Sequence, residues 1–369
     1  MKGRSQTITT RRVAFVLGLV GVLVSSLIAI RVLATNEWDP TAFVAFGEDA
    51  TQLTAYGEAA LGREVITRPK AGHDGKFFFV QANDPLLLES EENIEIVDRP
   101  LYRAQRMLYP VLAGGIGLFS PDVMVWALIV VNVLASGLGT WAVAELALRM
   151  GGSAWWGLGF AVNPGLISEL TIDGAGVVAA AAAFGAVLMI ERKHPNIAIV
   201  LLAASALARE AMLVVAFGVA FWAWLQGDRR FAYRAAVIPT LAVGLWAIYI
   251  RLQVGVEAGI SQLQGIGLPF AGFIASFQAD AHETDVLARV GVLLLLGMYV
   301  RRTVIHRNLP LAWAFVGFAP LGILFTKEVW ANSWDITRAV APMITAFLLL
   351  VVLAARQYRE TVAADRITG

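Results

Sequence analysis

No cysteine occurs in the 369 residues, so no loop can be stapled by a disulfide, and thiol catalysis is excluded. Charge is also scarce: Asp, Glu, Lys and Arg make up 15% of the chain and balance to a net +1. There is no basic stripe of the kind a nucleic-acid backbone requires. The four histidines, His73, His194, His282 and His306, stand far apart without metal-ligand spacing. No Walker, dinucleotide-binding, zinc or Ser-His-Asp pattern is present. No cofactor is expected, and a divalent metal has no support in the sequence.

What fills the chain instead is apolar surface. Hydrophobic residues make up 58%, with a mean hydropathy of +0.67, which is too apolar for a soluble domain and predicts an integral membrane protein. Apolar runs recur along the whole length, and about 20 helical residues cross a hydrocarbon core of roughly 30 Å. Open sheet edges cannot be satisfied in lipid, so the expected fold is an all-α polytopic bundle forming one domain over 1–369. The first run, Val13 to Ala34, follows Lys2, Arg4, Arg11 and Arg12 much as a signal peptide follows its charged region. It is too long for a signal core, and no small-x-small site precedes Asn36, which predicts a retained first span.

Short cytoplasmic loops collect Lys and Arg. Arg11-Arg12, Arg149, Arg192-Lys193, Arg229-Arg230 with Arg234, Arg301-Arg302 with Arg307, and Arg356 with Arg359 are therefore assigned inside. The segment 254–285, which holds no Lys or Arg, is assigned outside. About ten spans satisfy this: 13–34, 122–148, 154–169, 174–191, 197–208, 211–226, 232–252, 285–301, 309–325 and 337–355. Both termini are then cytoplasmic in a multi-pass cell-membrane protein, with a large first extracytoplasmic loop at 35–121. Met107 to Phe119 becomes an interfacial or re-entrant helix, and Ile197 to Gln226 becomes two short spans with Arg209-Glu210 at their outer tip. A single helix would carry that pair through the core at roughly 2.5–3.5 kcal/mol per charge. The pair serves either a water-filled site or an ion pair joining helices.

The outer polar groups gather at the first loop, the Glu169–Gly174 turn, Arg209-Glu210, and Lys327 to Arg338. Thirteen of the 28 carboxylates fall between Thr35 and Gln105. Within that loop Asp74 lies between Gly72 and Gly75, ahead of Phe77-Phe78-Phe79. It is read as either a tuned general base or the N-cap of a helix. Arg99, Arg103 and Arg106 have helical spacing, which suits a phosphate at the headgroup level. Alternatively they pair with the acidic run Glu89, Glu91, Glu92, Glu95 and Asp98. Tyr102 and Tyr109 fit an interfacial belt, as do Trp330 and Trp334. Asp173 follows the Asn163-Pro164 kink, and Arg338 at the start of the last span is placed to reach a second phosphate or sugar.

These pieces in this order resemble the GT-C superfamily of polytopic glycosyltransferases that use polyprenyl-phosphate sugars. Gly72-His73-Asp74-Gly75-Lys76-Phe77-Phe78 is similar to the Trp-Asp-Gly-x-Trp-Tyr type signature of mannosyltransferases of GPI-anchor assembly and related bacterial proteins. Tyr102-Arg103-Ala104-Gln105-Arg106-Met107-Leu108-Tyr109-Pro110 resembles the Arg-x-x-Arg-x-Leu-x-Pro element entering a juxtamembrane helix. Asn163-Pro164 through Asp173 resembles the Pro to Tyr-Ser-Glu segment, with Asp173-Gly174 in place of Ser-Glu. Ala208-Arg209-Glu210 resembles the Arg/Lys-Glu turn. His73 stands where Trp is usual, and Asp74 falls some forty residues after the first span, which makes Asp49 a second candidate acid.

The resemblance implies a GT-C-like fold with interfacial helices in the first loop. It implies inverting transfer of a hexosyl or pentosyl group from a polyprenyl-phosphate donor, at the outer membrane face, to a glycan, lipid or protein acceptor. Asp74 or Asp49 would be the catalytic acid-base residue. Arg103, Arg106, Arg209 and Arg338 would hold the donor phosphate and lipid, supported by Glu210, Asp173, Tyr102 and Trp334. The alternatives are a transporter or lipid flippase, with Arg209-Glu210 as its substrate site, and a catalytically silent assembly partner.

Overall fold

The computed structural model describes residues 2–88, 96–254, 266–277 and 282–368, with side chains described from 12 to 357. Helix dominates, and a helical stretch occupies each of the ten ranges expected from the sequence. Among the described residues four helices are long and apolar enough to cross a membrane: Arg12–Thr35, Pro121–Arg149, Arg229–Val254 and Ser333–Gln357. Four shorter apolar stretches accompany them, at Gly176–Glu191, Pro195–Ala208, Glu210–Leu225 and Pro310–Leu324. Proteins in lipid gain little from burying apolar surface between helices, so close backbone approach must supply the packing.

The first helix meets Pro121–Arg149 in this way. A Cβ on Gly21 would lie 2.5 Å from Thr140 Oγ1, and one on Gly137 would lie 2.3 Å from a Val22 methyl. One turn on, the Ser25 hydroxyl donates to Ser136 Oγ at 2.6 Å. The alanine-rich helix Gly176–Glu191 is buried along nearly its whole length, with Ala179, Ala180 and Ala183 at the centre of the bundle.

Two interruptions matter for the site. Pro164 cannot continue the preceding turn, and Asn163 caps the new helix Pro164–Leu170 by accepting from Gly165 N at 2.9 Å. Asn163 Nδ2 then ties this break to the last helix through Ala341 O and Thr345 Oγ1, at 2.9 and 3.0 Å. The run 197–226 is likewise two helices. Pro195–Ala208 ends at Arg209, which is extended at φ −154°, and a 3-10 turn over Glu210–Met212 leads into Leu213–Leu225.

Residues 41–116 form a cap of short elements. Strand Phe46–Gly47 pairs in parallel with Thr67–Arg68, a ladder that the all-α expectation did not include. Its helices among the described residues are Thr41–Val44, Thr51–Leu61, Gly75–Asn83, Pro100–Arg103 and Leu108–Ile116. The last, expected at Met107 to Phe119, has nine residues and is about 14 Å long, too short to cross. The cap is held by aromatic packing: Phe46 meets Phe79 edge-on at 6.0 Å and Phe78 meets Tyr109 at 5.3 Å. Phe78 and Phe79 are thus core residues and do not form a wall beside Asp74. Glu89, Glu91, Glu92 and Glu95, and residues 255–265 and 278–281 of the 254–285 loop, lie outside the described residues; the described part of that loop contains the helix Ala271–Ser276.

Candidate functional site

Asp74 is placed by two glycines that tolerate no side chain. Gly72 has φ +66°, and a Cβ on it would stand 2.2 Å from Ala45 O. A Cβ on Gly75 would stand 2.6 Å from Ile172 O and 2.7 Å from Val44 O. The backbone therefore runs tight against the strand-leading segment and the 171–174 turn. Asp74 occupies the N-cap position of Gly75–Asn83, yet its side chain makes no capping hydrogen bond. It turns instead toward arginines.

Arg103 donates to Asp74 Oδ1 at 2.7 Å and Arg106 donates to Asp74 Oδ2 at 3.2 Å. Arg338 approaches Oδ2 at 3.8 Å. Each arginine is itself oriented by a second group. Asp98 receives Arg103 through both oxygens, at 3.0 and 3.2 Å, while Phe77 lies 4.0 Å beneath the guanidinium. Glu210 takes Arg106 in a fork at 3.0 and 3.1 Å, and Tyr102 receives the same guanidinium on its hydroxyl. Glu169 Oε1 accepts from Arg209 at 3.1 Å and stands 3.3 Å from Arg338 Nε, while Oε2 accepts from Gly176 N at 3.0 Å. Burial raises the Asp74 carboxyl, but Arg103, then Arg106, Arg338 and Arg209, outweigh it. They hold the group well below the usual carboxylate range.

Arg103, Arg106, Arg209, Arg338, Glu210, Tyr102 and Asp74 are thus brought together as the sequence suggested, though not by the route expected. The helix Pro100–Arg103 ends before Arg106, and a turn, not a shared helical face, directs both guanidinium groups to Asp74. Arg99 sits outside that helix at φ 53° and makes no ion pair among the described residues. Glu169 was read only as the start of an outer turn. Ser168-Glu169, a few residues after Pro164, is the signal that identifies it.

Asp173 lies elsewhere. It is fully buried with Tyr109 and Asn132, and burial drives its carboxyl well above the ordinary value. The Tyr109 hydroxyl has two acceptors within reach, Leu128 O at 2.9 Å and Asp173 Oδ1 at 3.4 Å. Asp49 is exposed and lacks an ion pair among the described residues. Trp330 is wholly buried, its indole donating to Gly322 O at 3.3 Å, so it is not a belt residue; Trp334 is 59% exposed.

Three cavities meet at Asp335 and Arg338. One of about 520 Å³ includes Asp49, His73, Asp74, Lys76 and Arg103. A second, of about 550 Å³, joins Asp74, Arg106, Arg209 and Glu210 to an apolar lining of Leu213, Val243, Leu321 and Phe325. The third, of about 370 Å³, includes Arg68, His73, Ser168 and Trp334. The second cavity joins a charged end, where Arg106, Arg209 and Arg338 stand among Asp74, Glu210, Glu328 and Asp335, to an apolar trough; an anionic headgroup on a hydrocarbon chain fits it by taking a carboxylate's place. Among the described residues no His, Asp and Glu side chains group as a metal site. No protein-family model, curated protein or solved structure matches the chain.

Proposed function

We propose that this chain is a polytopic glycosyltransferase of GT-C-like architecture that takes a sugar from a polyprenyl phosphate at the outer face of the membrane. The observation that carries the reading is the junction of a cationic, carboxylate-bearing centre with an apolar trough at one cavity. In this reading all ten helical ranges cross the membrane and both termini are cytoplasmic. Contacts between helix ends support that orientation. Arg149 meets Glu191 O, Arg356 meets Met150 O, and Arg234 meets Asn196 among the groups assigned inside. Arg106, Arg209 and Arg338 meet Glu210, Glu169 and Asp74 among those assigned outside.

The donor phosphate lies among Arg106, Arg209 and Arg338, with its chain along Leu213, Val243, Leu321 and Phe325. The carboxylates already match these guanidinium groups, so the phosphate must displace one, and among the described residues Asp74 is the one shared by three arginines. Once it loses those partners, Asp74 becomes a stronger base. An acceptor hydroxyl oxygen bonds to the anomeric carbon and its proton passes to Asp74. The bond from the anomeric carbon to the phosphate oxygen breaks, and its electron pair leaves with the polyprenyl phosphate. Guanidinium groups fixed by Glu169 and Glu210 stabilise that departing charge without having to reorganise.

A flippase is the competing reading, because Arg209-Glu210 interrupts two short helices. In proteoliposomes the glycosyltransferase reading predicts release of polyprenyl phosphate from a labelled polyprenyl-phosphate sugar, with no faster crossing of the intact lipid between leaflets. Faster crossing without cleavage overturns the proposal.

A further inference from the structure

Apart from Arg338, the residues lining the 370 Å³ cavity take no part in donor binding as described above. It shares His73, Asp335 and Arg338 with the 520 Å³ cavity, so the two adjoin and form a polar trough that reaches Asp74. Both volumes fall in the range of roughly 300–1,000 Å³ found for ligand sites. Three polar groups in the trough have no hydrogen bond within the chain among the described residues: the Trp334 indole N–H, the His73 imidazole and the Ser168 hydroxyl. His73 is held neutral by burial and then by the neighbouring Arg338, so it offers one donor and one acceptor. Trp334, at 59% exposure, presents an uncovered aromatic face at the edge of this polar surface.

That combination selects among acceptor classes. A second polyprenyl chain would need a continuous apolar lining; the 550 Å³ cavity has the larger apolar share, whereas polar and apolar groups are mixed along this trough. The cations of the trough, Arg68, Lys76, Arg103 and Arg338, are already engaged by backbone carbonyls or carboxylates, and a polyanion would also meet Asp49, Asp98 and Asp335. A neutral saccharide presents an apolar C–H ring face to an indole and hydroxyls that both donate and accept, the complement of unpartnered Trp334, His73 and Ser168.

We propose that the trough lined by His73, Ser168, Trp334 and Asp335 binds a neutral oligosaccharide acceptor, with Trp334 stacking on a sugar ring one or more units from the hydroxyl delivered to Asp74. This rests on the glycosyl-transfer reading and assigns its acceptor. The reacting bonds are those already given: the oligosaccharide hydroxyl forms the new glycosidic bond and loses its proton to Asp74.

The test uses the full chain purified in nanodiscs and a printed panel of neutral hexose and pentose oligosaccharides, with acidic oligosaccharides and peptides as further arms. Binding of a polyprenyl monophosphate is measured separately on the wild-type protein. The expected result is saturable binding of at least one neutral oligosaccharide. Trp334→Ala should weaken it roughly fivefold to tenfold, and Trp334→Phe should largely restore it. Binding only to peptides or acidic glycans, binding indifferent to Trp334→Ala, or no oligosaccharide binding at millimolar concentration overturns the assignment. If the lipid phosphate binds and no oligosaccharide does, the acceptor assignment fails alone; if neither binds, the donor reading fails with it.

Discussion

Replacing Asp74 with asparagine should tighten the grip on the lipid phosphate while abolishing turnover. The carboxylate occupies guanidinium contacts that an incoming phosphate needs, at 3.2 Å from Arg106 and 3.8 Å from Arg338. A hydrogen bond to a charged group contributes about 1.5–3 kcal/mol net, and a factor of ten in affinity is about 1.4 kcal/mol. Removing the charge at one such contact should therefore improve the dissociation constant of a polyprenyl monophosphate about tenfold, and at both about a hundredfold. A phosphate and an ionised Asp74 left about 4 Å apart would repel by about 4 kcal/mol at an effective dielectric of 20, so coexistence without displacement leads to the same sign. Loss of the base should cost roughly 10² to 10⁴ in rate. The assay is equilibrium binding of a labelled polyprenyl monophosphate to nanodisc-embedded wild-type and Asp74→Asn proteins, with donor consumption followed in parallel. Equal or weaker phosphate binding by Asp74→Asn would refute the competition, and undiminished turnover would move the base to Asp49.

Other expectations concern the supports of this centre. Arg106→Lys keeps the charge but loses the fork to Glu210 at 3.0 and 3.1 Å, and lipid-phosphate affinity measured in the same assay should fall at least about tenfold. Glu169→Ala leaves Arg209, Arg338 and Gly176 N without their shared acceptor, and a cost of about 3–5 kcal/mol should appear as a large drop in the thermal unfolding midpoint. Asp173 titrates with a raised folded value, so between the ordinary carboxylate value and that raised one the folded state binds the extra proton and stability falls as pH rises. Asp173→Asn should therefore raise the unfolding midpoint more at pH 8 than at pH 5; an equal effect at both would show that Asp173 is ionised in the fold.

Much of the helical layout was legible because runs of apolar residues report directly on where long helices lie. The break at Arg209 is an example: two charges within an otherwise apolar run of thirty residues require an exit, and the chain turns there. The convergence on Asp74 was legible only in part. Arg103 and Arg106 were singled out by spacing, yet it is the end of a four-residue helix that brings them together. Glu169 was passed over and Asp173 preferred because charge in sequence does not reveal burial. Four residues apart, one carboxylate serves two arginines and the other is enclosed with Tyr109. The parallel pairing of Phe46–Gly47 with Thr67–Arg68 joins two residues to two across the nineteen residues 48–66, too short a pattern to be read from alternation.

The central claim is that one cavity holds a lipid phosphate beside Asp74. A structure determined with a polyprenyl monophosphate tests it most directly. The account predicts a phosphate within hydrogen-bond reach of Arg106, Arg209 and Arg338, with Asp74 released from at least one guanidinium and the chain lying along Leu213, Val243, Leu321 and Phe325. Density for the phosphate at any other surface, with the contacts between Asp74 and its arginines intact, would contradict it.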